Sequence, residues 1–199
     1  LTPTELRRWD LAIPASPPQQ LVVGVHYANC HFDGNVILAV TNAGQVELRG
    51  SKMPTDVLDQ KTLGLSPPPG TQYIPHAGGL YLLAGKQLIH IKHTNGNLSI
   101  DHPTLYAPVL DYAFHQPTNS LALSHSDRTI SVYSPEAGTQ YRRLEGFPTS
   151  YASIAWHSGK TLLGLASNPN NEKCTVDFIR IEDPEKPVSQ SLIDGGYQF

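Results

Sequence analysis

Apolar residues along this chain fall in short, β-rich runs and not in a helical stripe. The runs are Leu21 to Val25, Val36 to Val40, Leu80 to Ala84, Leu88 to Ile91, Leu121 to Leu123, Thr129 to Tyr133, Thr161 to Ala166 and Thr175 to Ile181. Val, Ile, Leu, Thr and Tyr dominate them, and none repeats every three to four residues as a core-facing helix would. Turn residues stand between the runs: Asp33-Gly34, Asn42-Ala43-Gly44, Asn95-Gly96, Pro117-Thr118-Asn119 and Ser158-Gly159. With 16 glycines and 17 prolines spread along 199 residues, few intervals have room for a long helix. The pattern predicts an all-β protein.

The runs also recur in phase. Four segments place an apolar or small pair before a histidine, then a turn, then an apolar strand. They are Asn29-Cys30-His31 before Val36, Ile74-Pro75-His76 before Leu80, Ala113-Phe114-His115 before Leu121, and Ala155-Trp156-His157 before Leu162. The histidines lie 45, 39 and 42 residues apart, a period that implies stacked supersecondary units. A second β-rich marker keeps the same rhythm: Arg8-Trp9-Asp10, Val46-Glu47-Leu48, Ile89-His90-Ile91, Ser131-Val132-Tyr133 and Phe178-Ile179-Arg180-Ile181.

In the unit from Val109 to Gly146, Val109 to His115 reads as an innermost strand with its turn. Leu121 to Asp127 reads as a second strand running into a structural Asp, and Thr129 to Tyr133 as a third strand, with Tyr133 where Trp is usual. This unit resembles the blade of the WD-repeat family, and Trp9-Asp10 matches the dipeptide that names it. The resemblance implies a β-propeller of four-stranded antiparallel blades. The expected division is 1–20, the end of a preceding blade plus a Pro-rich linker; 21–66, 67–107 and 108–147, one blade each; and 148–199, a blade and the start of a further strand. No Gly-His dipeptide opens any unit, and the turn Asp is clear only at Asp127. Apolar packing, in place of the family's Ser/Thr-His-Asp-Trp tetrad, is therefore expected to hold the blades together. Four units are too few for the usual seven-bladed ring, so the ring is expected to be incomplete or part of a larger propeller, with a missing segment or a second chain completing it. An unclosed stack exposes sheet faces that need neighbours.

Composition narrows the function. Apolar residues make up 39% and charged residues 16%, a globular balance. A net charge of -3 provides no basic footprint for nucleic acid or anionic lipid, and no apolar run reaches the length of a membrane span. The two cysteines, Cys30 and Cys174, are too few for a disulfide framework and point to an intracellular, cytoplasmic or nuclear setting.

The four phased histidines invite a metal reading, since imidazole is a common ligand. Each, however, belongs to a different blade, and packed sheets lie roughly 10 Å apart while ligands must come within about 2 Å of an ion. His31, His76, His115 and His157 are read as structural landmarks of the repeat, with Trp9, Asp10 and Asp127. Ser124-His125-Ser126-Asp127 holds the residue types of a triad, but consecutive residues of a strand and its turn do not converge. No P-loop or nucleophile elbow occurs. The expectation is therefore no catalytic residue, no metal and no cofactor, in a non-catalytic scaffold that joins protein subunits in a complex. The alternative is a propeller enzyme, or a metal or small-ligand binder, working from the central channel. Possible partner contacts are the tandem Arg142 and Arg143 and the polar loop at Asn170 and Asn171.

Overall fold

A computed structural model describes residues 5–8, 19–23, 25–53, 55–134, 140–158, 160–167, 173–181 and 190–194. Strands β1 (Glu5–Arg8) and β2 (Gln19–Val23) form a two-stranded antiparallel ribbon. Four antiparallel sheets follow, each of four strands joined in chain order. The first holds β3 (Tyr27–Asp33), β4 (Val36–Thr41), β5 (Gln45–Gly50) and β6 (Val57–Thr62). The second holds β7 (Gln72–His76), β8 (Gly79–Ala84), β9 (Gln87–Thr94) and β10 (Asn97–Asp101). The third holds β11 (Val109–His115), β12 (Ser120–His125), β13 (Ile130–Ser134) and β14 (Gln140–Leu144). The fourth holds β15 (Ser153–Ser158), β16 (Thr161–Ser167), β17 (Lys173–Arg180) and β18 (Gln190–Asp194). The one helical element among the described residues is a 3-10 turn at Gln116–Thr118.

Two compact units divide the chain, residues 1–104 and 105–199. In the first, Leu38, Val40, Val46 and Leu48 of the first sheet pack against Leu80, Leu82, Ile89 and Ile91 of the second. In the second, Ala122, Ile130, Val132 and Leu144 of the third sheet pack against Ile154, Leu162 and Ile179 of the fourth, with Phe147 and Tyr151 filling the seam. Each fully buried Leu or Ile contributes on the order of 2 kcal/mol, so these paired faces dominate stability.

The fourth strands carry no apolar run: β10 buries Leu98, with Ile100 packed beside it, and β14 buries Leu144. β6 reads Val-Leu-Asp-Gln-Lys-Thr, and only Asp59 in it is partly buried. The rhythm of apolar runs ends each unit at its third strand for that reason; an outer strand needs only ladder bonds and one covered residue.

Candidate functional site

Polar groups, and not apolar packing alone, join the sheets within each unit. In residues 1–104, Asp33 at the end of β3 accepts hydrogen bonds at Oδ2 from the Gly78 amide (2.6 Å) and from His93 Nε2 (2.9 Å). Burial acts to raise the Asp33 carboxyl, but His93 and Gly78 together outweigh it and hold the pKa below the carboxylate norm. Asp59 on β6 accepts from the Leu98 amide of β10 (2.7 Å), and that bond, with one from the Gln60 amide, lowers its pKa as well. In residues 105–199 the corresponding tie is Asp111, whose Oδ2 accepts from Ser153 Oγ and the Ile154 amide, both at 2.8 Å. Trp156 Nε1 donates to the Ala113 carbonyl (3.0 Å) across the same seam. A carboxylate bonded to a backbone amide is stronger than a neutral pair. Asp111→Ala is expected to cost about 2 kcal/mol in urea denaturation, and Asp111→Asn, which keeps an acceptor oxygen, about half of that.

Buried polar clusters lie inside the sheets. On the first, Tyr27 Oη donates to Glu47 Oε2 (3.3 Å), which also pairs with the Arg49 guanidinium (2.7 Å). Burial, with Glu47 beside it, pushes the Tyr27 phenol up to about 12 and the neighbouring Cys30 thiol up to about 11. At neutral pH Cys30 is therefore a thiol, not a nucleophilic thiolate. The fourth sheet repeats the tyrosine–acid pair: Tyr151 Oη donates to Asp177 Oδ2 at 2.6 Å, and burial followed by Asp177 raises that phenol further. The Tyr151 ring lies against Gly164 of β16, where a Cβ would be driven into the ring. Gly164 is thus a glycine for close approach and not for backbone freedom.

The second sheet holds an imidazole pair. His76 Nδ1 donates to the Ala77 carbonyl (2.8 Å), which leaves its Nε2 to accept from His90 Nε2 (3.0 Å). Tyr81 stacks on His90 at 4.3 Å between ring centroids. Burial, with His76 and Lys92 adding to it against Asp101, lowers His90 to about 3. On the third sheet, His125 donates from Nδ1 to the Ala107 carbonyl (3.1 Å) and meets Ser131 Oγ at Nε2 (2.5 Å). Each of these side chains has a hydrogen-bonded neighbour in the fold, although Asp177 keeps Oδ1 buried without one among the described residues. Among the described residues, no three His, Cys, Asp or Glu side chains converge to hold a metal ion.

The landmark histidines lie on the first strands of four different sheets. His76 and His115 end β7 and β11, His157 is next to last in β15, and His31 lies two residues before the end of β3. Their surroundings differ. His76 is buried; His115 meets Thr118 Oγ1 (2.7 Å) and packs on Trp156. His157 is exposed, edge-on to Phe178, and His31 is partly buried, with its pKa lowered by burial. Asp127 accepts from Thr129 Oγ1 (2.6 Å) and pairs with Arg143 (3.0 Å). Arg143 also pairs with Glu145 and lies over the Tyr106 ring, while Arg142 is exposed. Trp9, Asp10, Asn170 and Asn171 fall outside the described residues.

Among the described residues, the exposed large apolar side chains are Phe32 on β3, Met53 in the loop before β6, Val57 and Leu58 on β6, and, in the second unit, Tyr106 and Leu110. The register Phe32–Ile37–Arg49–Val57 runs as one row across the four strands. Its two end members are largely exposed, Phe32 at 53% and Val57 at 43%, with Leu58 at 50% beside Val57 and Met53 at 62% in the preceding loop. Runs of apolar residues did not reveal these side chains, because they come from separate strands and loops whose exposure only the fold decides.

Similar proteins define the class. Sqt1 of Saccharomyces cerevisiae matches at TM-score 0.52 and 14% identity, over 87% of this chain and 51% of that one. The β-propeller domain of Myceliophteria thermophila Cps50 (Swd1) matches at 0.52 and 14%, over 80% and 58%. A chain of the Mitotic Checkpoint Complex matches at 0.54 and 12%, over 94% and 59%. No protein-family model matches the sequence, and neither does any curated protein. The chain has the fold of an incomplete β-propeller with four-stranded antiparallel blades, not closed into a ring. It spans between half and three-fifths of the length of these solved propellers.

Proposed function

We propose that the chain is a divergent WD-repeat propeller segment working inside the cell, in cytoplasm or nucleus, as a non-catalytic scaffold that binds other protein subunits. Its blades run 21–66, 67–107, 108–147 and 148–199, after a preceding one that ends in 1–20, with His31, His76, His115 and His157 as their landmarks. A further segment or second chain completes the propeller. The observation that carries this reading is the exposed apolar stretch on the outer strand β6 and the loop before it, Met53, Val57 and Leu58, with Phe32 exposed on the opposite edge strand. Arg142 and Arg143 of β14 add polar contacts, as do Asn170 and Asn171. The buried ionisable groups favour the scaffold over a channel enzyme, because Glu47, His76, His90 and His125 are engaged within the fold and Asp177 is paired with Tyr151.

The test is size fractionation of extract from the source cells. The protein should elute in a species larger than the purified chain. Met53→Ser with Leu58→Ser should shift it to the size of the chain alone while leaving the melting temperature within about 2 °C, since both residues are exposed. Turnover of a small molecule, or elution indifferent to the double substitution, would count against the scaffold.

A further inference from the structure

The segment that leaves β6 and enters β7 holds three consecutive prolines, Pro67, Pro68 and Pro69. Each proline ring fixes φ at about −65°, and a residue that precedes a proline is kept out of the helical region. Ser66, Pro67 and Pro68 all precede one. Covalent structure therefore favours one left-handed polyproline turn here before any tertiary contact is made. The fold then holds both ends of it. On one side the Leu63 amide donates to the Gly44 carbonyl (2.8 Å), Leu63 is buried, and Leu65 packs against the core of the first two sheets. On the other, the Pro68 carbonyl accepts from Thr71 Oγ1 (2.7 Å) and from the Thr71 amide (3.2 Å). With Pro69 second and Gly70 third at φ +84, these bonds close a type II turn.

A polyproline helix has three residues per turn, so residues three apart share an edge. Ser66 and Pro69 share one edge and are exposed; Pro68, on the second, is exposed as well, and Pro67, on the third, is half-buried. The fold thus covers one edge of a three-sided rod and leaves the other two in water, with Pro68 and Pro69 as consecutive exposed rings. From Thr62 to Pro75 the chain carries no charged side chain. No proline of the run has another proline three residues on, since Gly70, Thr71 and Gln72 stand at those places.

We infer that Pro68 and Pro69 dock into the groove of a small partner module that clasps two consecutive prolines between aromatic rings. Such a groove binds by packing on the proline rings, and a polyproline turn already held at both ends loses little conformational freedom when it enters. The uncharged flanks fit a groove without an acidic pocket beside it, and the missing Pro-x-x-Pro spacing sets this partner apart from modules that read two spaced prolines. The segment follows the end of β6, whereas Met53 precedes its start, so this contact does not depend on the exposed apolar stretch there.

The probe is a set of isolated WW domains of the consecutive-proline type, titrated to about 1 mM into the nitrogen-15-labelled chain and followed by NMR. The amides of Ser66, Gly70 and Thr71 should shift, and those of Met53 and Leu58 should not. Pro68→Ala should weaken binding at least about 10-fold, and Pro67→Ala, whose ring the fold half covers, by less than about 3-fold. A domain with its groove tryptophan replaced by alanine should cause no shift. Silence at Ser66, Gly70 and Thr71 with every domain would overturn the inference, as would binding that survives Pro68→Ala or the loss of the groove tryptophan. Binding only by a domain that reads Pro-x-x-Pro would overturn it too. Met53→Ser with Leu58→Ser should bind the domain as wild type does, so failure of this contact and failure of the larger assembly are read separately.

Discussion

Lowering the pH from 7 to 4 should destabilise the protein by about 3 kcal/mol through His90 alone. Its folded pKa of about 3 lies well below the ordinary 6.5. Below pH 6.5 the unfolded chain takes up a proton at this position and the folded chain does not. The stability that neutral His90 allows is therefore complete above 6.5 and is lost as the pH falls from 6.5 towards 3, at about 1.4 kcal/mol per pH unit. The physical cause is burial of the ring under Tyr81, with His76 and Lys92 beside it adding to the cost of a charge. His76, His31 and His125 are shifted in the same direction and add to the slope. Urea denaturation at pH 7, 6, 5 and 4 should show His90→Phe less stable than wild type at pH 7 but with a shallower loss on acidification. A variant with the wild-type slope would show that His90 takes up its proton without unfolding.

Gly44→Ala should cost more than about 4 kcal/mol, enough to unfold a domain of ordinary stability. Gly44 closes the turn between β4 and β5 at φ +80, where a side chain is strained, and its amide donates to the Thr41 carbonyl at 3.0 Å. The decisive feature is the chain that passes over it. The Leu63 amide donates to the Gly44 carbonyl (2.8 Å), and two residues later the Leu65 carbonyl occupies the place a Cβ would take. Both groups in that collision are backbone, so no rotamer relieves it. Gly34 is the control: its φ is +61 and nothing lies near its missing Cβ. Gly34→Ala should cost only about 1 kcal/mol, and the two substitutions compared by chemical denaturation separate conformational strain from collision.

Gly44 shows where reading the chain succeeds and where it stops. Asn42-Ala43-Gly44 between two apolar runs marks a turn in the sequence, and a turn is there. That the turn lies under Leu65 is a fact about the segment leaving β6, Leu63-Gly64-Leu65, whose apolar residues do not say which turn they will cross. The same holds for the aspartates. Asp33 in Asp33-Gly34 is legible as a turn residue, yet its bonds run to Gly78 and His93, 45 and 60 residues away. Without the family's tetrad, apolar packing was the natural expectation for the seams. The structure adds Asp33, Asp59 and Asp111 to that packing, because a surface carboxylate gives no sign in sequence of the amide it will meet.

Strand content, turn positions and the rhythm of four sheets follow from the residues themselves, since alternation and turn chemistry are local and each run must bury what it repeats. Which groups bridge the sheets, and which face of β16 is less covered, were decided by packing alone: Leu162, Leu163 and Leu165 are the same residue, and only the third sheet beside them makes one buried and leaves the others half-buried.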